Sequence, residues 1–331
     1  MFRVIRLLLV LVLVAAIGAA GFLYFSLGTP YAGFKAPVFV DIPPGTSSRT
    51  MSEMLQQAGI IKSSWQFQLA RALNARKRLQ AGEYRFAEPA SVWTIFQRIA
   101  RGDIFYYELR VPEGSNQYDI AAAIEELGFM KATQFLRVSA DPKMIHDLDP
   151  KAPTLEGYLF PATYRITRHT TAPQIAREMT DRFRRAWKEL NGTDVHTTVT
   201  LASLVEKEAR VPEDRPNIAS VFTNRLERGM TLDCDPTTIY AALLEGRYRG
   251  TIYRSDLASD NLYNTYRHAG LPPGPIANPG MESLKAALHP AQTSYLFFVV
   301  KPGANGRHTF TSNINDHNAA VAEYRRGVHP R

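Results

Sequence analysis

The chain has one cysteine in 331 residues, Cys234, so no intramolecular disulfide can staple it and the fold must rest on ordinary hydrophobic cores. His268, His289, His308 and His317 lack His-Glu-x-x-His or comparable spacing, and neither a metal nor a cofactor is expected. A nucleophile elbow for serine acyl transfer is missing as well. Acidic residues are in deficit: 31 Asp and Glu face 39 Lys and Arg, a net charge of +8. Such a balance suits nucleic acid, a membrane surface or an acidic polymer. The basic residues are scattered, however, as in Arg71, Arg76, Lys77 and Arg78, or Arg182, Arg184 and Arg185, which fits solvated helix faces better than a dedicated patch.

Long apolar runs are scarce, with one exception at the N-terminus. Arg3 and Arg6 precede an almost uninterrupted apolar stretch from Leu7 to Phe25, and Thr29-Pro30 breaks it. About 20 apolar residues span a bilayer. Residues 7–26 are therefore expected to form a transmembrane helix, with 1–6 in the cytoplasm because positive charge precedes the span, and with the rest outside. The rival is a cleaved signal peptide, for which Ala15, Ala16, Gly18, Ala19 and Ala20 supply small residues. The anchor is preferred because the apolar character continues through Phe22-Leu23-Tyr24-Phe25. The expectation is a single-pass protein of the cytoplasmic (inner) membrane with an extracytoplasmic body, a place where nucleic acid is not a partner.

The exported region opens with an internal repeat at an offset of 69 residues. Ile42-Pro43-Pro44-Gly45-Thr46 corresponds to Val111-Pro112-Glu113-Gly114-Ser115, and Leu55, Gly59 and Ile60 to Ile124, Gly128 and Phe129. Each copy reads as an alternating strand, a Pro-x-Gly turn, a hydroxyl helix cap, an amphipathic helix and a closing glycine. Neither unit buries much alone, so the two are expected to share one small α+β module over residues 36–130, with Ala81–Phe86 as another strand. Modules of this kind resemble LysM carbohydrate-binding domains; a plain spacer fits equally well. Residues 131–331 then form a mixed α+β domain, and the overall class is α+β.

Within that domain the helical run Leu201–Ala209 carries Glu206 and Glu208. At 100° per residue Glu208 falls within the stripe of Leu201, Leu204 and Val205, whereas Glu206 points about 160° away from Glu208, near Ala202 and Arg210. A carboxyl on a core-facing stripe loses hydration of its charged form, its pKa rises, and it becomes a proton donor near neutral pH. A structural pair with a buried Arg is the alternative. A helix over Ala172–Leu190 carries Ile175, Met179, Phe183 and Trp187 as a core stripe, and another over Ile218–Leu226 carries Asn224 and Arg225. Three loops follow. Leu232–Thr238 contains Asp235, a candidate cap for a helix beginning at Pro236. Leu262–Tyr266 combines aromatic faces with amide and hydroxyl groups, as sugar binding requires. Gly270–Gly280 is stiffened by four prolines, suited to binding with little entropy to lose or to a rigid surface role.

Leu201–Glu208, Val221–Leu226, Asp235–Tyr240, Tyr263–Tyr266, Gly270–Ile276 and His308-Thr309-Phe310 resemble, in order, the motifs of the endolytic murein transglycosylases, the YceG-like family. The likeness covers nearly the whole chain, including the N-terminal anchor. It implies a membrane-anchored lyase that cleaves the β-1,4 bond between N-acetylmuramic acid and N-acetylglucosamine within nascent peptidoglycan strands, leaves 1,6-anhydro ends and so terminates elongation. Peptidoglycan is the implied substrate, and cell-wall synthases are candidate partners. The resemblance puts the catalytic glutamate at Glu208. It implies sugar contacts from Tyr263, Asn264, Tyr266, Asp235 and Thr237, and gives Asn224 and Arg225 either a glycan contact, the orienting of Glu208, or a structural hydrogen bond. Cys234 receives no role. A glycoside hydrolase using Asp233, Asp235 or Glu156 as a second carboxylate is the nearest alternative, and a noncatalytic wall-binding scaffold the next.

Overall fold

The computed structural model describes residues 2–328; Met1, in the expected cytoplasmic segment, and residues 329–331, in the expected catalytic portion, lie outside the described residues. The chain divides into two compact units. The first runs to Tyr107 and takes in Thr167–His169; the second comprises Glu108–Ile166 and the chain from Thr170 onward.

The first unit begins with α1 (Phe2–Gly28), whose stretch Arg3–Gly28 is long and apolar enough to cross a membrane. Thr29 Oγ1 donates to the Phe25 carbonyl where the helix ends, and Pro30 cannot continue it. Strand β1 (Val38–Ile42), helices α2 (Ser48–Gln57) and α3 (Ser64–Leu73), strand β2 (Gly82–Phe86) and helix α4 (Val92–Arg101) follow. β1 and β2 pair antiparallel, with Val38 opposite Phe86 and Ile42 opposite Gly82. Alternation turns Val40 and Ile42 into a core shared with Leu55, Phe67, Tyr84, Phe96 and Ile99. Serine side chains accept from the third residue of their helices, Ser47 from Thr50 N–H and Ser91 from Thr94 N–H.

The second unit contains β3 (Tyr107–Val111) from its second residue onward, α5 (Gln117–Glu126), α6 (Ala132–Ser139), β4 (Ala162–Ile166), α7 (Ala172–Leu190), α8 (Val195–Glu208), α9 (Arg215–Glu227), α10 (Asp235–Leu244), α11 (Arg254–Leu257), α12 (Met281–Leu288), β5 (Phe297–Val300), β6 (His308–Thr311) and α13 (Ile314–Val328). Here the expected module is corrected. The second copy of the repeat belongs to this unit, where β3 pairs with β4 rather than joining β1 and β2. The repeat is nevertheless real in the backbone. Gly45 and Gly114 both take positive φ, 83° and 77°, and Thr46 and Ser115 both turn their hydroxyls back to the carbonyls of Pro43 and Pro112. The hydroxyls expected as caps thus close the turns, and the caps fall one residue later, on Ser47 and Asn116. α7 runs from Ala172 to Leu190 with Ile175, Met179, Phe183 and Trp187 buried, as the stripe predicts.

α8 is the axis of the second unit. Nine of its residues from Val195 to Val205 are buried, on every side of the helix, and α9, α10 and α12 pack against it. The proline-rich segment expected as a stiff surface loop is mostly buried against the same helix. Ile276 N–H donates to Ser203 Oγ at 3.1 Å and Gly280 N–H to Glu206 Oε2 at 2.9 Å. Asn278 fastens it further, accepting from Leu159 N–H and donating to the Ser115 carbonyl and to Glu156 Oε1. Four prolines suit a wall that must fill space without helical hydrogen bonds.

Candidate active site

Because α8 is buried on every side up to Val205 and Glu206 and Glu208 are both partly buried, facing direction does not separate its two carboxyls; their partners do. Glu206, expected on a polar side, has a side chain only 6% exposed. Its Oε1 accepts from Arg215 Nη2 at 3.1 Å and its Oε2 from Gly280 N–H, while Arg215 Nε donates to Ser283 Oγ at 3.0 Å. This is the structural pair that sequence reasoning held open for the neighbouring glutamate. Glu208, the last residue of α8, is partly buried and among the described residues forms no ion pair. Its Oε1 accepts a hydrogen bond from the Cys234 thiol at 3.3 Å. Burial raises its pKa above the ordinary carboxylate range, the charge of Asp235 adds to the rise, and the thiol bond and Arg210 act against it. The result is a desolvated carboxyl whose pKa is raised and whose hydrogen-bond donor is a thiol.

The opposite wall is the segment Asp233-Cys234-Asp235 that leads into α10. Asp233 adopts a left-handed conformation with φ 49°, which a non-glycine residue holds only when its surroundings enforce it. The enforcing contacts are visible. Arg225 donates to the carbonyls of Thr231, Leu232 and Leu296 and forms an ion pair with Asp233 at 2.9 Å. Cys234 N–H donates to Thr265 Oγ1, Thr237 Oγ1 donates to the Cys234 carbonyl, and the hydroxyls of Thr237 and Thr265 lie 2.9 Å apart. Cys234 is thereby fixed with its sulfur against Glu208. Burial and the adjacent carboxyl push the thiol pKa well above its ordinary value, so it stays protonated as a donor and is no nucleophile.

The expected sugar contacts divide into two groups. Asp235 and Tyr266 are exposed, and the Tyr266 hydroxyl donates to Asp235 Oδ1 at 2.7 Å. Asp235 is the first residue of α10 rather than its cap, and its carboxylate sits at the positive end of that helix. Tyr263 is partly buried, with its ring 5.2 Å from that of Tyr240. The remaining residues are turned inward. Thr237 and Asn264 are fully buried; Asn264 Nδ2 donates to carbonyls of Leu257 and Ser259, tying down the segment around α11. Asn224 Nδ2 donates to the Thr293 and Tyr295 carbonyls. With Arg225, these three form the frame that carries the site rather than a surface open to a ligand.

The candidate second carboxylates are also sorted. Glu156 is sealed in the core, accepting from Gln117 N–H, the Tyr240 hydroxyl and Asn278 Nδ2, and burial pushes its pKa up to about 8. Asp233 is committed to Arg225. Asp235 alone combines exposure with a place near Glu208. Beyond α8, the 3-10 turn Pro212–Asp214 is clamped to the β5–β6 hairpin, since Asp214 Oδ2 accepts from both the backbone and Nδ1 of His308. That is the role of the His-Thr-Phe motif in the fold. The contribution of Cys234 escaped sequence reasoning; its place directly before Asp235-Pro236-Thr237-Thr238 was the available signal.

Residues 40–323 match the YceG-like family. An endolytic murein transglycosylase of Bacillus subtilis is 36% identical over 312 residues, covering 88% of this chain and 85% of that protein. A protein of the same name from Streptococcus pneumoniae is 30% identical over 97% of this chain and 65% of its own length. Among solved structures, a yceG-like protein from Listeria monocytogenes superposes with a TM-score of 0.56 at 32% identity, covering 86% of this chain and 99% of that one.

Proposed function

The chain belongs to the YceG-like family, and on that footing we propose that it is an endolytic peptidoglycan lytic transglycosylase whose general acid and base is Glu208. The observation that carries this reading is the state of Glu208: a desolvated carboxyl at the end of the central helix, with a thiol donor in place of a cationic partner. Glu208 gives its proton to the glycosidic oxygen between N-acetylmuramic acid and N-acetylglucosamine as the C1–O bond breaks. The carboxylate left behind takes the proton of the muramoyl C6 hydroxyl, whose oxygen bonds to C1 and closes a 1,6-anhydro ring. Glu208 ends protonated, as it began, and no water is consumed. One carboxyl suffices, which agrees with the sealing of Glu156 and the pairing of Asp233. Asp235, Tyr266 and Tyr263 are the proposed glycan contacts, the exposed pair offering a carboxylate and an aromatic face side by side.

The anchor reading places α1 across the cytoplasmic membrane with the N-terminus inside and the body outside, where cleavage within nascent strands would end their elongation beside the synthases that make them. The first unit serves there as a LysM-like glycan holder or as a spacer. Digestion of purified glycan strands tests the reaction. Products carrying 1,6-anhydromuramoyl ends support it; products with reducing ends, heavier by one water, would assign the protein to the hydrolases and direct attention to Asp235 as the second carboxylate.

A further inference from the structure

The first unit is fastened to α1 at the helix end that must lie in or at the edge of a bilayer. A hydrocarbon core about 30 Å thick takes roughly 20 helical residues at 1.5 Å each. Counted from Leu7, directly after Arg6, the apolar path ends near Ser26. It is on these last turns that the unit packs. Trp65 stacks on Phe22 with centroids 6.3 Å apart, Gln66 Nε2 donates to Ser26 Oγ at 2.7 Å and to its carbonyl at 3.0 Å, and Leu27 is buried in the unit's core. Around this joint the apolar surface is open. Trp65 is 45% exposed, Trp93 40% and Leu73 64%. A groove of about 900 Å³ runs between Leu23, Tyr24 and Phe25 of the helix and Leu73 and Trp93 of the unit. Three to five residues past Leu73 stand Arg76, Lys77 and Arg78, all exposed.

We propose that this face is a lipid-docking surface, with the first unit seated in the leaflet at the C-terminal end of α1 and phospholipid acyl chains filling the groove between α1, Leu73 and Trp93. The proposal rests on α1 spanning a membrane. Tryptophan prefers the boundary where one side is apolar and the other wet. Arg76, Lys77 and Arg78 are placed to meet anionic headgroups, which attract basic side chains held at the membrane surface. A docked unit could not swing freely on its helix, so the leaflet would fix the depth at which the remainder of the chain begins.

The test uses the full chain reconstituted into vesicles of phosphatidylcholine and phosphatidylglycerol, with and without bromine on the acyl chains, read by tryptophan fluorescence. The chain has three tryptophans, and the third, Trp187, is buried in the second unit. Acyl-chain bromine should quench the emission of Trp65 and Trp93, and the conservative Trp65→Phe, Trp93→Phe double variant should lose the quenchable component while keeping that of Trp187. Replacing Arg76, Lys77 and Arg78 together by Gln should reduce quenching in anionic vesicles. Co-flotation with the vesicles separates the two claims. A chain that floats yet shows no bromine quenching overturns the docked face and leaves the span intact; a chain that does not float removes the span and the docking with it.

Discussion

Replacing Glu206 and Glu208 separately by Gln should produce opposite outcomes, although the residues are two apart on one helix. Glu206→Gln removes the charge from a pair whose side chains are 6% and 14% exposed. It also gives Gly280 N–H an amide that cannot both satisfy it and keep accepting from Arg215. Removing one partner of a buried pair costs about 3–5 kcal/mol, and the isosteric amide retains part of this, leaving roughly 2–4 kcal/mol lost. For a unit of this size that lowers the melting temperature by roughly 5–15 °C. Glu208→Gln removes a carboxyl whose ionised form is disfavoured by burial and by Asp235, so stability should be unchanged or higher. Its activity should fall by about 10²–10⁴ or more, as loss of general acid–base catalysis does. Calorimetry paired with strand cleavage at a temperature where both variants are folded reads both axes. A Glu206→Gln protein as stable as the parent, or a Glu208→Gln protein that melts far lower while cleaving normally, would refute the separation of roles.

Other perturbations follow from the same contacts. Cys234→Ala removes a hydrogen bond that favours the Glu208 carboxylate, so the alkaline limb of the cleavage profile should move to higher pH, and Cys234→Ser, with a stronger donor, should move it lower; coincident profiles for all three proteins would deny the thiol any influence. Glu156, raised to about 8 in the fold against about 4.5 unfolded, binds more protons native than unfolded between those values, so its contribution falls as pH rises through that window, by up to ~5 kcal/mol. Urea unfolding of the parent and Glu156→Gln at pH 5 and pH 9 should therefore show the gap between them shifting in favour of the variant at the higher pH; parallel curves would argue against it. Gly157→Ala should cost about 2–4 kcal/mol, because its φ of 87° disfavours a side chain and the added Cβ would lie 2.4 Å from Pro275 and 2.8 Å from Val199. An unshifted urea midpoint would mean that the proline-rich wall yields more readily than its packing indicates.

Local pattern made much of this legible. The stripe of Ile175, Met179, Phe183 and Trp187 marked α7 to its ends, and the Pro-x-Gly turns found a repeat whose two copies share backbone conformation. What sequence could not supply was which strand meets which. β3 and β4 are separated by about fifty residues, and nothing in Tyr107–Val111 distinguishes β4 from β2 as a neighbour. Amphipathic reasoning failed on α8 for a physical reason: up to Val205 the helix is buried on every side and has no polar face to extend to Glu206, which could be placed only by seeing Arg215 and Gly280. Asn264 and Thr237 have the chemistry of sugar contacts, but a loop must first satisfy its own carbonyls and hydroxyls, and there they are consumed. Motif and its place on the apolar stripe single out Glu208 as the candidate, and its distinction from Glu206 rests on the absence of an ion pair among the described residues.

Mass spectrometry of glycan strands incubated with the parent protein and with Glu208→Gln tests the central claim most directly. The account predicts 1,6-anhydromuramoyl ends accumulating with the parent and reduced by at least about 10² with the variant, while the folded variant still binds glycan. Anhydro ends forming at the parental rate without the Glu208 carboxyl would contradict it.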